Sequence, residues 1–139
     1  MRCAVRHRRP SRARGWATAL LLALAPLASG SEPTKSQEEA VKRLLATYER
    51  AIETKDLALF RSVKPNLTSD EEHRLKKAFD STRTQQVTIT VASMDCQEKT
   101  CVVHLNRRDT LDASIVSSFP QTMRLTQGPD GLVIEEIGR

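Results

Sequence analysis

Aromatic side chains are scarce in this chain, with one Trp, one Tyr and three Phe among 139 residues. Trp16 falls in the first thirty residues, leaving Tyr48, Phe60, Phe79 and Phe119 for everything after them. Four rings are too few for the aromatic-lined pocket that apolar substrates favour. Glycine is equally sparse, at five residues, and no Gly-rich phosphate loop, serine nucleophile motif or H-E-x-x-H zinc motif occurs. No repeat with a period of about 20 to 50 residues is present, which excludes a solenoid or propeller. Long apolar runs are missing too. The one extended run, Trp16–Leu27, falls short of the roughly 20 residues a membrane-spanning helix needs.

That short run is informative for what surrounds it. Arg2, Arg6, Arg8, Arg9, Arg12 and Arg14 precede it, and the small residues Ala28-Ser29-Gly30 follow. A positive start, a short apolar middle and a small-residue cleavage site read as a secretory signal peptide over residues 1–30. Arg8-Arg9 is followed by Pro10-Ser11-Arg12 rather than an apolar pair, so ordinary bacterial export is expected, to the periplasm or the exterior. Cleavage also reverses the charge balance. The full chain carries 22 Lys+Arg against 17 Asp+Glu, but six of those bases and no acids precede Ser31, leaving 16 against 17. A nearly neutral remainder offers nucleic acid no overall basic surface, and Lys76-Lys77 and Arg107-Arg108 read as solvated pairs. Without the signal, no membrane association is expected.

Residues 31–35 read as a flexible lead-in around Pro33, and residues 36–139 as one domain long enough for a real core. Two S-x-x-E sequences, Ser36–Glu39 and Ser69–Glu72, read as capping boxes opening helices. Val41, Leu44, Leu45, Tyr48 and Ile52 then recur at helical spacing through about Thr54, and Leu75, Ala78 and Phe79 do so on a shorter helix ending near Ser81. Between them Asp56–Ser62 reads as one or two turns, stopped by Pro65. From Gln86 the period changes to two. Strands are expected over Gln86–Met94, Cys101–Thr110, Phe119–Gln127 and Leu132–Ile137, with Val87, Ile89 and Val91 on the buried face of the first. Gly128-Pro129-Asp130-Gly131 should close the last two into a hairpin. Helices followed by a meander of strands make an α+β fold with the helices on one face of the sheet.

Only Cys96 and Cys101 remain after the signal, placed where the first strand ends and the second begins. Paired residues on antiparallel strands bring their Cα atoms within disulfide range, and export supplies an oxidising compartment. A disulfide is therefore expected, worth about 2 kcal/mol for so short a loop. C-x₄-C at a strand turn is not the C-x-x-C of a redox centre, and a zinc site would need two more ligands. Neither metal nor cofactor is expected.

The segment Leu44–Leu57, with Leu45, Tyr48, Ala51 and Asp56 in the pattern L-x-x-Y-x-x-A-x-x-x-x-D, resembles the opening of the nuclear-transport-factor-2-like (SnoaL-like, cystatin-like) superfamily. The short helix Leu57–Val63, the loop Lys64–Thr68 and the closing Gly131–Ile137 are similar as well, although Leu132 stands where such domains commonly carry tryptophan. The likeness covers nearly all of Gln37–Ile137. It implies a curved antiparallel sheet of about four strands wrapping the helices into a cone-shaped roll with an interior pocket.

Enzymes in that superfamily, such as ketosteroid isomerases, need a carboxylate base and polarising donors in a dry pocket. Candidate pocket residues here are Tyr48, His104, Asn106 and Arg124. Tyr48 lies on the apolar helix stripe, the position of a core tyrosine with a satisfied hydroxyl. His104 alternates with Val103 and Leu105 and so belongs on the less apolar sheet face. Asp95 reads as a turn residue and Asp109 as half of an ordinary cross-strand ion pair. No catalytic constellation emerges. The expectation is an exported, noncatalytic domain that binds a protein partner, with a homodimer through the open sheet face (Thr88, Thr90, Ala92, His104, Asn106 and Arg108) as one arrangement. The alternative is a small-ligand carrier or a lyase- or isomerase-type enzyme using the cone interior. A cone filled by Leu44, Leu45, Tyr48, Ile89 and Met123 counts against that alternative. Asn66-Leu67-Thr68 is a glycosylation sequon, relevant only to a eukaryotic secretory route.

Overall fold

The computed structural model describes residues 32–139; the signal peptide expected over residues 1–30, and Cys3 with it, lies outside them. Helix α1 (Lys35–Glu53) begins one residue before Ser36. Its N-cap is Thr34, whose hydroxyl accepts from the Gln37 N–H while the Gln37 side chain accepts from the Thr34 N–H. The expected Ser36 box is thus displaced by a T-x-x-Q box two residues upstream. Thr34 has the extended ψ of 158° of an N-cap, and its capping box starts the helix at Lys35. Helix α3 (Ser69–Ser81) repeats the correction, capped by Thr68 with Glu71 rather than by Ser69 with Glu72.

Val41, Leu44, Leu45, Tyr48, Ala51 and Ile52 form the buried stripe of α1. Lys55, in the left-handed region at φ 55°, reverses the chain after it. Asp56 then caps α2 (Leu57–Val63) by accepting from the Leu59 N–H, and Pro65 follows its end.

Four strands, β1 (Gln85–Cys96), β2 (Thr100–Leu111), β3 (Ile115–Gly128) and β4 (Gly131–Gly138), form an antiparallel meander in the order β1-β2-β3-β4. Cys96 and Cys101 are paired in the β1–β2 register and joined by a disulfide with Cα atoms 4.1 Å apart. The helices cover one sheet face, and the core between the layers centres on Val41, Tyr48, Val103, Met123, Leu125 and Ile134, each at most 2% exposed.

Two details depart from the alternation read in the sequence. A bulge between Val91 and Ser93 shifts the parity of β1, so Met94 and Cys96 turn inward while Val91 is left 37% exposed. Strand β3 starts at Ile115, four residues earlier than Phe119. A tight turn with Asp112 and Ala113 at φ 49° and 63° feeds Ile115 directly into register with Leu111, and this pairing outweighs the strand-weakening Ser117, Ser118 and Pro120.

Candidate functional site

Strand β2 places Val103, Leu105, Arg107 and Asp109 at alternate positions, so all four face the helices. The last two carry charge into the layer between sheet and helix. Arg107 lays its guanidinium fork on Asp109, Nε to Oδ1 at 2.6 Å and Nη2 to Oδ2 at 2.7 Å, with both side chains little more than a tenth exposed. Its remaining arm, Nη1, donates to the Tyr48 hydroxyl at 2.7 Å, and Gln85 Nε2 donates to Asp109 Oδ2 at 3.0 Å. Aromatic faces enclose the cation: its central carbon lies 5.7 Å from the Tyr48 ring centroid and 5.6 Å from that of Phe119, its cross-strand partner. Phe60 packs tilted on Tyr48 at 5.6 Å. Gln121 is buried as well, and its Oε1 has no hydrogen-bond partner.

The electrostatics follow from this enclosure. Burial pushes the Tyr48 hydroxyl above its ordinary value; the Arg107 charge opposes that and the Asp109 charge adds to it. Burial pulls the Arg107 guanidinium down, but the Asp109 and Tyr48 contacts outweigh it and leave a net rise. A buried arginine is tolerable only when paired and hydrogen-bonded. Here both carboxylate oxygens and all three guanidinium nitrogens are engaged within the cluster.

The four residues singled out from the sequence are divided by the sheet. Tyr48 is at the centre of the inner cluster, whereas His104, Asn106 and Arg124 are exposed on the outer face. His104 Nδ1 is 3.1 Å from Thr122 Oγ1, and Arg124 is 3.6 Å from Glu136 beside a shallow cleft of about 130 Å³. Arg107 and Asp109 are the residues that sequence reasoning misplaced. Arg107 read as half of a solvated pair and Asp109 as half of an ordinary cross-strand ion pair, but both are inside and bond to each other along the same strand. Counting in twos from buried Cys101 through Val103 and Leu105 reaches them.

Other hollows flank the core among the described residues. A cleft of about 310 Å³ runs between α2, α3 and β4, with Phe60, Leu75 and Ile137 as apolar wall and Lys64 nearly buried in it. The Lys64 ammonium donates to Asn66 Oδ1 at 3.0 Å and lies 3.5 Å from Glu71 Oε2. A second cleft, of about 320 Å³, includes Arg43, Thr47 and Asp130, and a smaller one of about 120 Å³ lies against the disulfide turn. Among the described residues there is no group of three His, Cys, Asp or Glu able to hold a metal ion, and no helix long and apolar enough to cross a membrane.

No family model and no curated protein matches the chain. Solved structures do. Bd1075 of Bdellovibrio bacteriovorus superposes with a TM-score of 0.64 at 14% identity, over 76% of this chain, which spans only 42% of that protein. A candidate dehydratase of the NTF2-like family from Streptomyces avermitilis gives 0.61 at 13% identity, over 75% of this chain and 95% of that one. A Nostoc punctiforme protein of unknown function with a cystatin-like fold gives 0.58 at 10% identity, over 77% and 92%. At these identities the likeness is one of architecture: three helices laid on one face of a four-stranded antiparallel meander give this chain the NTF2-like, cystatin-like fold.

Proposed function

We propose that the chain is an exported, noncatalytic binding domain whose partner surface is the open outer face of its sheet. The observation that carries this reading is the closure of the inner polar cluster. A general base must be free to take a proton from substrate, yet both Asp109 oxygens are held by Arg107 and Gln85. Leu44, Leu45, Tyr48 and Met123 are buried around it and Ile89 packs against them, so the cone interior is filled at its centre. On the opposite side Thr88, Thr90, Ala92, His104, Asn106 and Arg108 form a contiguous exposed surface, aligned by the pairs Thr88–Arg108 and Thr90–Asn106. The Cys96–Cys101 disulfide is in keeping with an oxidising compartment.

A second reading, a small-molecule carrier or a lyase- or isomerase-type enzyme, is favoured by one observation. Gln121 Oε1 is a buried acceptor without a hydrogen-bond partner, and the Streptomyces structure is described as a candidate dehydratase. Crosslinking in the native compartment and a thermal-shift ligand screen separate the two. The binding-domain reading expects adducts that disappear in Asn106→Arg and no small-molecule stabilisation dependent on Tyr48. A ligand that raises the melting temperature of the native protein but not of Tyr48→Phe would establish the second reading instead.

A further inference from the structure

The sheet has more backbone edge than its two outer strands supply. Strand β4 pairs with β3 only from Thr122 to Gly128, whereas β3 begins at Ile115. Over Ile115–Gln121 it is bonded to β2 on one side, and on the other it has no strand beside it among the described residues. Alternate N–H and C=O groups of that stretch point away from β2.

Elsewhere the fold guards its edges. On β1 the Val87 N–H is taken by Glu53 Oε1 and the Ile89 N–H by Glu49 Oε1, both at 2.9 Å and both from α1. On β4 the Glu135 carbonyl accepts from Asn66 Nδ2 at 2.8 Å, and Glu135 and Glu136 put charge along the strand. Charges and covering side chains are the usual protections against edge-to-edge pairing. Ile115–Gln121 contains no charged residue of its own, and Ile115 and Val116 are 59% and 51% exposed; among the described residues a charge approaches it at Phe119, where the Arg139 guanidinium lies 5.1 Å from the ring centroid. Pro120, which lacks an N–H, limits the pairable length to Ile115–Phe119.

We propose that Ile115–Phe119 is a self-association edge, pairing antiparallel with the same five residues of a second copy across a two-fold axis at Ser117. Ile115 then faces Phe119 of the other copy, and Ser117 faces its own equivalent. A second copy fits better than a foreign peptide for two reasons. Strand addition draws its sequence specificity from pockets flanking the edge, and none of the four clefts described above is lined by Ile115–Phe119. An uncharged segment also meets itself without the like-charge conflict that destabilises most self-paired strands. The proposal is independent of what the outer sheet face binds.

Ser117 is exposed and sits on the axis, so a charge placed there tests the geometry. Sedimentation equilibrium from about 10 μM to about 1 mM, a range suited to a small interface, should show a monomer–dimer equilibrium for the native protein. Ser117→Lys and Ser117→Glu should each weaken association by about tenfold or more, and an equimolar mixture of the two should restore it. Hydrogen exchange on the native protein should show protection of the alternate, edge-facing amides within Ile115–Phe119 that rises with concentration, a readout that needs no variant. A native protein monomeric throughout, a mixture no tighter than its components, or edge amides whose protection ignores concentration overturns the proposal. A dimer lost in Asn106→Arg but kept in Ser117→Lys also overturns it and assigns self-association to the sheet face.

Discussion

At the scale of single residues, the interior depends on one charge pair and the hydroxyl attached to it. Tyr48→Phe removes the acceptor of Arg107 Nη1 without altering the ring that packs on Phe60. It should cost about 1–3 kcal/mol in urea unfolding, the penalty for leaving a buried donor unmet; no measurable loss would mean that the hydroxyl contributes nothing to the fold. Acid stability is set elsewhere. Hydrogen bonds from Arg61 and then Lys76 lower the Glu72 carboxyl to about 2, and backbone N–H groups, that of Thr68 for Glu71 and those of Thr84 and Arg83 for Asp112, lower the other two below the usual carboxylate range. Depressed carboxylates stabilise the fold above their unfolded values, and that contribution disappears as pH falls through the folded ones. Glu49 works the other way, since burial raises it and the fold gains as it protonates. The melting temperature should therefore fall between about pH 4.5 and the Glu72 value of about 2, more gently in Glu72→Gln. Identical pH profiles for the two proteins would remove Glu72 from the account.

At the scale of elements, most of the fold was legible in the sequence, and the exceptions have local causes. The helical stripe of α1, the short turn of α2 and the four strands all follow from periodicity. The caps did not, because threonine does at Thr34 and Thr68 what serine was expected to do at Ser36 and Ser69. Thr34→Ala should cost about 1 kcal/mol and Ser36→Ala only a few tenths; the reverse order in thermal melts would restore the Ser36 cap. The parity of β1 was lost at its bulge, which no residue in Val91–Ser93 announces. The early start of β3 depends on a turn carrying Ala113 at φ 63°, a conformation alanine adopts only at a cost. Ala113→Gly should raise stability by about 0.5–1 kcal/mol, and a destabilising result would show that the turn is not left-handed. Removing the disulfide with the pair Cys96→Ala and Cys101→Ala should cost about 2 kcal/mol and leave the fold intact.

At the scale of the whole molecule, the sheet separates two chemistries. The inner face holds an apolar core with one self-neutralised polar cluster, and the outer face presents hydroxyls, amides, His104 and Arg108 to solvent. Sequence alternation correctly assigned His104 and Asn106 to the outer face and Tyr48 to the core stripe. It failed for Arg107 and Asp109 because a charged pair next to another arginine reads as surface unless the strand parity is followed to its end. That failure matters for function. Those two residues decide whether the cone interior is a working site or a closed one.

We propose that Arg107, Asp109 and Tyr48 close the interior for structural reasons. Residues held for catalysis commonly burden the fold, so that replacing them leaves stability unchanged or raises it. Equilibrium urea unfolding of Asp109→Ala against the native protein distinguishes a structural cluster from a catalytic one. A structural cluster loses about 3–5 kcal/mol, because the Arg107 charge is left buried without its partner. Stability equal to or above that of the native protein would rule out a structural role and mark Asp109 as a group kept for chemistry.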